Sequence, residues 1–145
     1  MFVKQLSIFI ENKAGRLAEL SELLANNGID LRAISIADTK EFGIVRLIVS
    51  DLDKAVKILT DDGWVFKVTP VIAVKIPDES GRMADVLRVL TDENIGVEYI
   101  YAVISHNTKD ACIIIRVVDK MGEKAVEALN SKGYEVYTPQ QLSEL

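Results

Sequence analysis

The sequence predicts an α+β protein built of two tandem units, residues 1–69 and 70–145, each ordered β-α-β-β-α-β and packed as a pseudo-symmetric pair. Two observations predict it. Laid over itself with a shift of 66 residues, the chain aligns Gly15 with Gly81 and Arg16 with Arg82, inside the runs ENKAGRL and PDESGRM. Within each copy the apolar period moves between two and about 3.6 in the same order, so each element is read twice.

The first strand is Leu6, Ile8 and Ile10 in one copy and Ile72, Val74 and Ile76 in the other, alternating with polar or outward residues. That is a strand with one buried face. After the glycine corner, Leu17, Leu20 and Leu24 recur at helical spacing, answered by Met83, Val86 and Leu90. The helix is expected to stop near Asn27-Gly28 and near Asn94, residues that accept the left-handed conformation. LRAISIA and VEYIYAVI follow as second strands, then the turns DTKEF and SHNTKD, then third strands over 43–51 and 111–119. The turns are the least alike segments and the shift grows to 68 across them, as hairpin loops allow. Second helices are expected over 53–62 and 122–132, each stopped by a glycine, Gly63 or Gly133. WVFKVT and YEVYT are then the final strands, closed by Pro70 and Pro139. The arrangement is the split βαβ of a ferredoxin-like fold, four antiparallel strands carrying two helices on one face. With only Pro70 between the copies, the two halves are expected to form a rigid pair.

Composition narrows the function classes. The 22 acidic residues exceed the 17 basic ones, which opposes phosphate neutralisation, so no nucleic-acid partner is expected. No apolar run approaches the roughly 20 residues that span a bilayer, and the start MFVKQLSIFIENK lacks a cleavage pattern. No membrane partner is expected. Cys112 is the sole cysteine, excluding an intrachain disulfide, and its setting in ACIIIRVV is that of a buried structural thiol. A reducing, cytoplasmic setting is the expectation. His106 is the sole histidine, and the chain shows neither a metal-ligand cluster nor a phosphate loop. No cofactor and no metal are expected.

The glycine corner has two readings. In the first, Gly15 and Gly81 only supply an unusual backbone conformation between strand and helix, and Arg16 and Arg82 are solvated first-turn residues. In the second, the corner exposes free amides at a helix N-terminus to a carboxylate, with glycine letting the ligand close on the backbone. Arg16 and Arg82 sit at the unfavourable end of the helix dipole for cations, which points weakly to an anion nearby. Asn12 and Asp78, three residues before each glycine, either cap the turn or receive an α-ammonium group. Trp64, Tyr99 and Tyr101 are read as core or interface before ligand platforms.

Apolar strand, N-x-x-G-x-L corner, helix and G-I-D-L second strand resemble the ACT domain, a regulatory module that binds amino acids, and ENKAGRLAELSELLANNGIDL is a close fit. The resemblance covers nearly the whole chain. It implies a ligand between two domains paired side by side, touching the corner of one and the opening of the second strand of its neighbour. Carried over, it implicates Asn12, Ala14, Gly15, Arg16, Leu17 and Asp30 in the first copy, and Asp78, Ser80, Gly81, Arg82 and Met83 in the second. The second copy departs from the pattern, with Asp78 for the corner asparagine and Gly96 opposite Asp30. The two sites are therefore expected to be unequal.

The leading expectation is a stand-alone, non-catalytic regulator that binds a free amino acid, apolar or aromatic because no charged specificity group flanks both corners. A partner enzyme of amino-acid metabolism and a homodimer or higher homo-oligomer accompany that reading. The alternatives are an oligomerisation or interaction module serving as a regulatory subunit, and a small ferredoxin-like enzyme, which the fold alone does not exclude.

Overall fold

A computed structural model describes residues 2–103 and 109–145; Ile104, His106 and most of the SHNTKD turn lie outside the described residues. Two compact units divide the chain, Lys4–Thr69, and Pro70–Leu145 together with residues 2 and 3.

The first unit runs β1 (Val3–Glu11), α1 (Arg16–Asn26), β2 (Leu31–Asp38), β3 (Phe42–Val49) and α2 (Leu52–Asp61), ending in the first half of β4 (Val65–Pro77). Its strand order is β2-β3-β1-β4, with β2 and β1 both antiparallel to β3. Leu6, Ile8 and Ile10 bury the helix-facing side of β1 against Leu20 and Leu24 of α1 and Ala55 and Leu59 of α2. Each fully buried aliphatic side chain contributes about 1.5–3 kcal/mol. The β1–β3 register pairs Ile8 with Val45 and Leu6 with Leu47, which keeps all four on that side.

The second unit uses the rest of β4, then α3 (Arg82–Asp92), β5 (Val97–Ala102), β6 (Asp110–Val117), α4 (Gly122–Ser131), β7 (Glu135–Val136) and α5 (Pro139–Ser143). Its strands run β5-β6-β4, with β7 on the free side of β4. The core repeats the first residue for residue: Ile72, Val74 and Ile76 against Val86, Leu90, Ala125 and Leu129, with Phe2 packed onto it. Both second strands carry an irregularity at the same place, between Leu31 and Ala33 and between Val97 and Tyr99. At the helix ends Gly28 takes φ 70° and Asn94 takes φ 57°, the expected left-handed stops.

Three expectations need correction. YEVYT does not form a full strand: β7 has two residues, and the amide of Tyr137 adds one bond to the Ala73 carbonyl at 2.8 Å. Thr138-Pro139-Gln140-Gln141 instead starts α5, through a capping box between Thr138 and Gln141 with proline in the first turn. Pro70 does not end a strand either, because β4 passes through it unbroken; proline suits extended backbone wherever its missing amide is not needed. On β1, Gln5 and Ser7 do not face solvent. Both are buried, with Gln5 Nε2 donating to Ser7 Oγ at 2.9 Å and Ser7 Oγ 2.9 Å from the buried Thr69 Oγ1. The chain of bonds removes the penalty that lone polar groups would carry there.

Candidate functional site

The two glycine corners are built alike. Gly15 (φ 85°) and Gly81 (φ 89°) are the residues immediately before α1 and α3, and neither helix has a side-chain cap. A β-carbon at either glycine would meet no protein atom within 4 Å, so the requirement for glycine comes from the backbone angle. In the first corner the Arg16 amide donates to the Lys13 carbonyl at 3.2 Å and the Glu19 amide to the Gly15 carbonyl at 2.9 Å. Between them the amides of Leu17 and Ala18 have no acceptor among the described residues. The second corner repeats this: Arg82 donates to Glu79 and Asp85 to Gly81, leaving Met83 and Ala84. Each corner thus presents two amides at the positive end of a helix.

The surrounding side chains differ. Asn12 does not cap its turn; its amide nitrogen lies 3.5 Å from the carbonyls of Thr39 and Lys40, and its backbone amide donates to Glu41 at 2.9 Å. It ties the corner to the β2–β3 hairpin. Asp78 does not cap α3 either. Glu11 is paired with Lys13 at 2.6 Å, whose hydrogen bond and charge hold its carboxyl below the usual range. Ala14 and Ser80 are exposed, and Leu17 packs on the first core while Met83 is exposed.

The anions beside the two arginines come from the chain itself. Arg16 Nη1 donates to Glu19 Oε2 at 2.8 Å, and its guanidinium carbon lies 3.9 Å from the centre of the Trp64 ring. Arg82 bonds Glu79 at 3.0 Å and Asp85 at 3.4 Å; the bond to Glu79 is the main cause raising its pKa. Acidic partners within one turn offset the dipole at each arginine. Arg82 also borders an open cleft of about 400 Å³ with Lys75, Lys132, Asp110, Tyr134 and Glu135. Lys75 lies 3.5 Å from both Glu135 and Asp110, and Glu135 does most to raise its pKa.

Asp30 is not brought to the Gly15 corner. Its amide donates to Ser50 Oγ at 2.9 Å, at the far end of the β2–β3 ladder from Glu11 and Phe42, and its carboxylate lies 3.5 Å from Arg32. The eleven residues of α1 intervene, a length of about 16 Å. Gly96 stands at the corresponding end of the second hairpin, its amide neighbour Val118 donating to its carbonyl at 3.1 Å. Trp64 was legible as an aromatic, but its contact with Arg16 had no signal in local spacing. The two residues are 48 positions apart.

The family model for an ACT domain pair matches residues 1–145. The chain belongs to the ACT domain pair family. It is similar to a crystallised protein of Bacteroides thetaiotaomicron at 40% identity, covering 100% of this chain and 98% of that one with a TM-score of 0.91. It also shares its fold with the ligand-free regulatory subunit of aspartate kinase from Thermus thermophilus, at 17% identity and TM-score 0.63 over 91% of this chain and 93% of that one. The corresponding subunit from Thermus flavus gives 17% identity and TM-score 0.59, over 88% and 90%. A search of curated proteins returned no match. Among the described residues of this ACT pair, no helix is long and apolar enough to cross a membrane.

Proposed function

We propose that this ACT domain pair is a non-catalytic, cytoplasmic regulatory protein that binds a free amino acid at its glycine corners and passes the binding on to an enzyme of amino-acid metabolism. The observation that carries the reading is the repeated pair of unsatisfied amides, Leu17 with Ala18 and Met83 with Ala84, each in front of an uncapped helix. A carboxylate suits that geometry. With Arg16 and Arg82 already paired to acidic residues, the corners offer little to a charged side chain, which favours an apolar or aromatic amino acid.

Asn12, Ala14, Gly15, Arg16 and Leu17 form the first corner, and Asp78, Ser80, Gly81, Arg82 and Met83 the second. Asp30 can serve only a corner other than the one in its own unit. Two Thermus proteins of like fold are regulatory subunits of aspartate kinase, which supports a regulatory role here. A homodimer or higher oligomer is part of the proposal, supported by the edge strand β2, which leaves Ile34 and Ile36 exposed. Regulation then requires the ligand to favour one of two states of the assembly.

The test is calorimetric titration with the twenty amino acids, repeated with Ala14→Phe and Ser80→Phe, which place bulk at exposed positions beside each corner. One or a few amino acids should bind and lose affinity in at least one variant. Absence of any binding tighter than about 1 mM, or binding indifferent to both variants, would reject the corners as the site.

A further inference from the structure

The two copies part company between the third strand and the second helix. In the first unit Val49 is followed after six residues by Ala55, and Asp51 caps α2 by accepting from the Lys54 amide at 3.1 Å. In the second, Ala125 comes eight positions after Val117, against six in the first, so two extra residues enter the turn. Asp119 is drawn away from the helix and bonds Arg116, which also donates to the Pro70 carbonyl at 3.0 Å. α4 is left without a side-chain cap, and Lys120 takes the left-handed backbone conformation at φ 70°.

The lengthened turn borders a cleft of about 470 Å³ whose lining residues all belong to the second unit. Its lining joins the half-buried Phe2 and the exposed Val118 to the buried Val71 and Val117, and its rim carries Arg116, Asp119, Lys120 and Glu123. The size is that of a small-molecule site. Arg116 and Asp119 neutralise each other, whereas Lys120 and Glu123 enter no ion pair among the described residues. One positive and one negative group therefore remain beside an apolar wall.

We propose that this cleft is a second ligand site, selective for a zwitterion with an apolar body, that is, an apolar α-amino acid. Its carboxylate meets Lys120 and the uncapped start of α4, its ammonium meets Glu123, and its side chain lies against Phe2 and Val118. An apolar anion or amine would answer only one of the two rim charges. The cleft meets β4 at residues 70–72, mid-strand, whereas Gly81 lies beyond its end at Pro77, and the proposal stands whether or not the corners bind a ligand.

Amide chemical-shift mapping of the intact chain tests it, using L-leucine, L-valine, L-methionine and L-phenylalanine up to about 10 mM. Saturable shifts are expected over residues 117–124 for at least one of them. The exposed substitutions Lys120→Gln and Glu123→Gln should each weaken that binding about tenfold, as loss of a charge-assisted hydrogen bond does. For leucine, 4-methylpentanoate and 3-methylbutylamine supply the one-charge controls, and both should bind more weakly. Shifts confined to residues 12–17 or 78–83 would support the corners and overturn the cleft. Absence of shifts, indifference to both variants, or equal affinity for a one-charge control would overturn it as well.

Discussion

Arg16 lies over Trp64, with its guanidinium carbon 3.9 Å from the ring centre, while the indole Nε1 donates to Asp62 at 2.8 Å. The stack joins the first turn of α1 to the start of β4. A cation–π contact of this kind is worth about 0.5–1 kcal/mol at an accessible site. Arg16→Ala is expected to lower stability in urea by that amount and to change the emission of Trp64, the only tryptophan in the chain. Unchanged emission would contradict the stack. The same fluorescence offers a local reporter for ligands at the first corner.

Gly15→Ala and Gly81→Ala should each destabilise by about 1–2 kcal/mol, the cost of placing an L residue in the left-handed region. Because no protein atom lies within 4 Å of the added carbon, strain and not collision sets the magnitude. Denaturant unfolding of both variants checks it. A much larger loss at either site would mean that the corner is more tightly enclosed than the structure shows.

Ser7→Ala breaks two buried hydrogen bonds at once and leaves Gln5 Nε2 and Thr69 Oγ1 without that partner. A loss of about 1–3 kcal/mol is expected, the cost of unsatisfied buried polar groups. Ser7→Ala combined with Thr69→Val, which removes the two facing hydroxyls together, should cost less than the sum of the two single changes. A double variant as unstable as the sum of the two single ones would count against the linked network.

Cys112 is buried, and burial pushes its thiol up to about 12 from 9.0. Well below pH 9 the thiol is protonated in both folded and unfolded chains and contributes no pH dependence. Between about 9 and 12 the unfolded chain loses the proton first, so stability falls as pH rises. Cys112→Ala should flatten that part of the stability–pH curve relative to the wild type. The native thiol should also resist alkylation at pH 8 until the chain unfolds, and rapid native-state labelling would refute the burial.

Much of this protein was determined by its sequence alone. The 66-residue repeat, the period-two runs at Leu6 and Ile72 and the helical runs at Leu20 and Val86 predict the same element twice, because burial of one face imposes its period locally. The helix stops at Gly28 and Asn94 were legible for the same reason: backbone angle is a property of one residue and its neighbours. α5 was also written locally, in Thr138, Pro139 and Gln141, but the expectation of a closing strand competed with that signal.

Tertiary structure alone decided the contacts between distant residues. Local spacing could not place Trp64 under Arg16, hide Gln5 and Ser7 beside Thr69, or set Asp30 a helix length from Gly15. These depend on strand order and register, which bring together residues tens of positions apart. The two extra residues before α4 were visible in the sequence, but only folding showed that they release Asp119 to Arg116 and border a cleft. Periodicity specifies which side chains must be buried, whereas packing decides which polar groups are left facing one another.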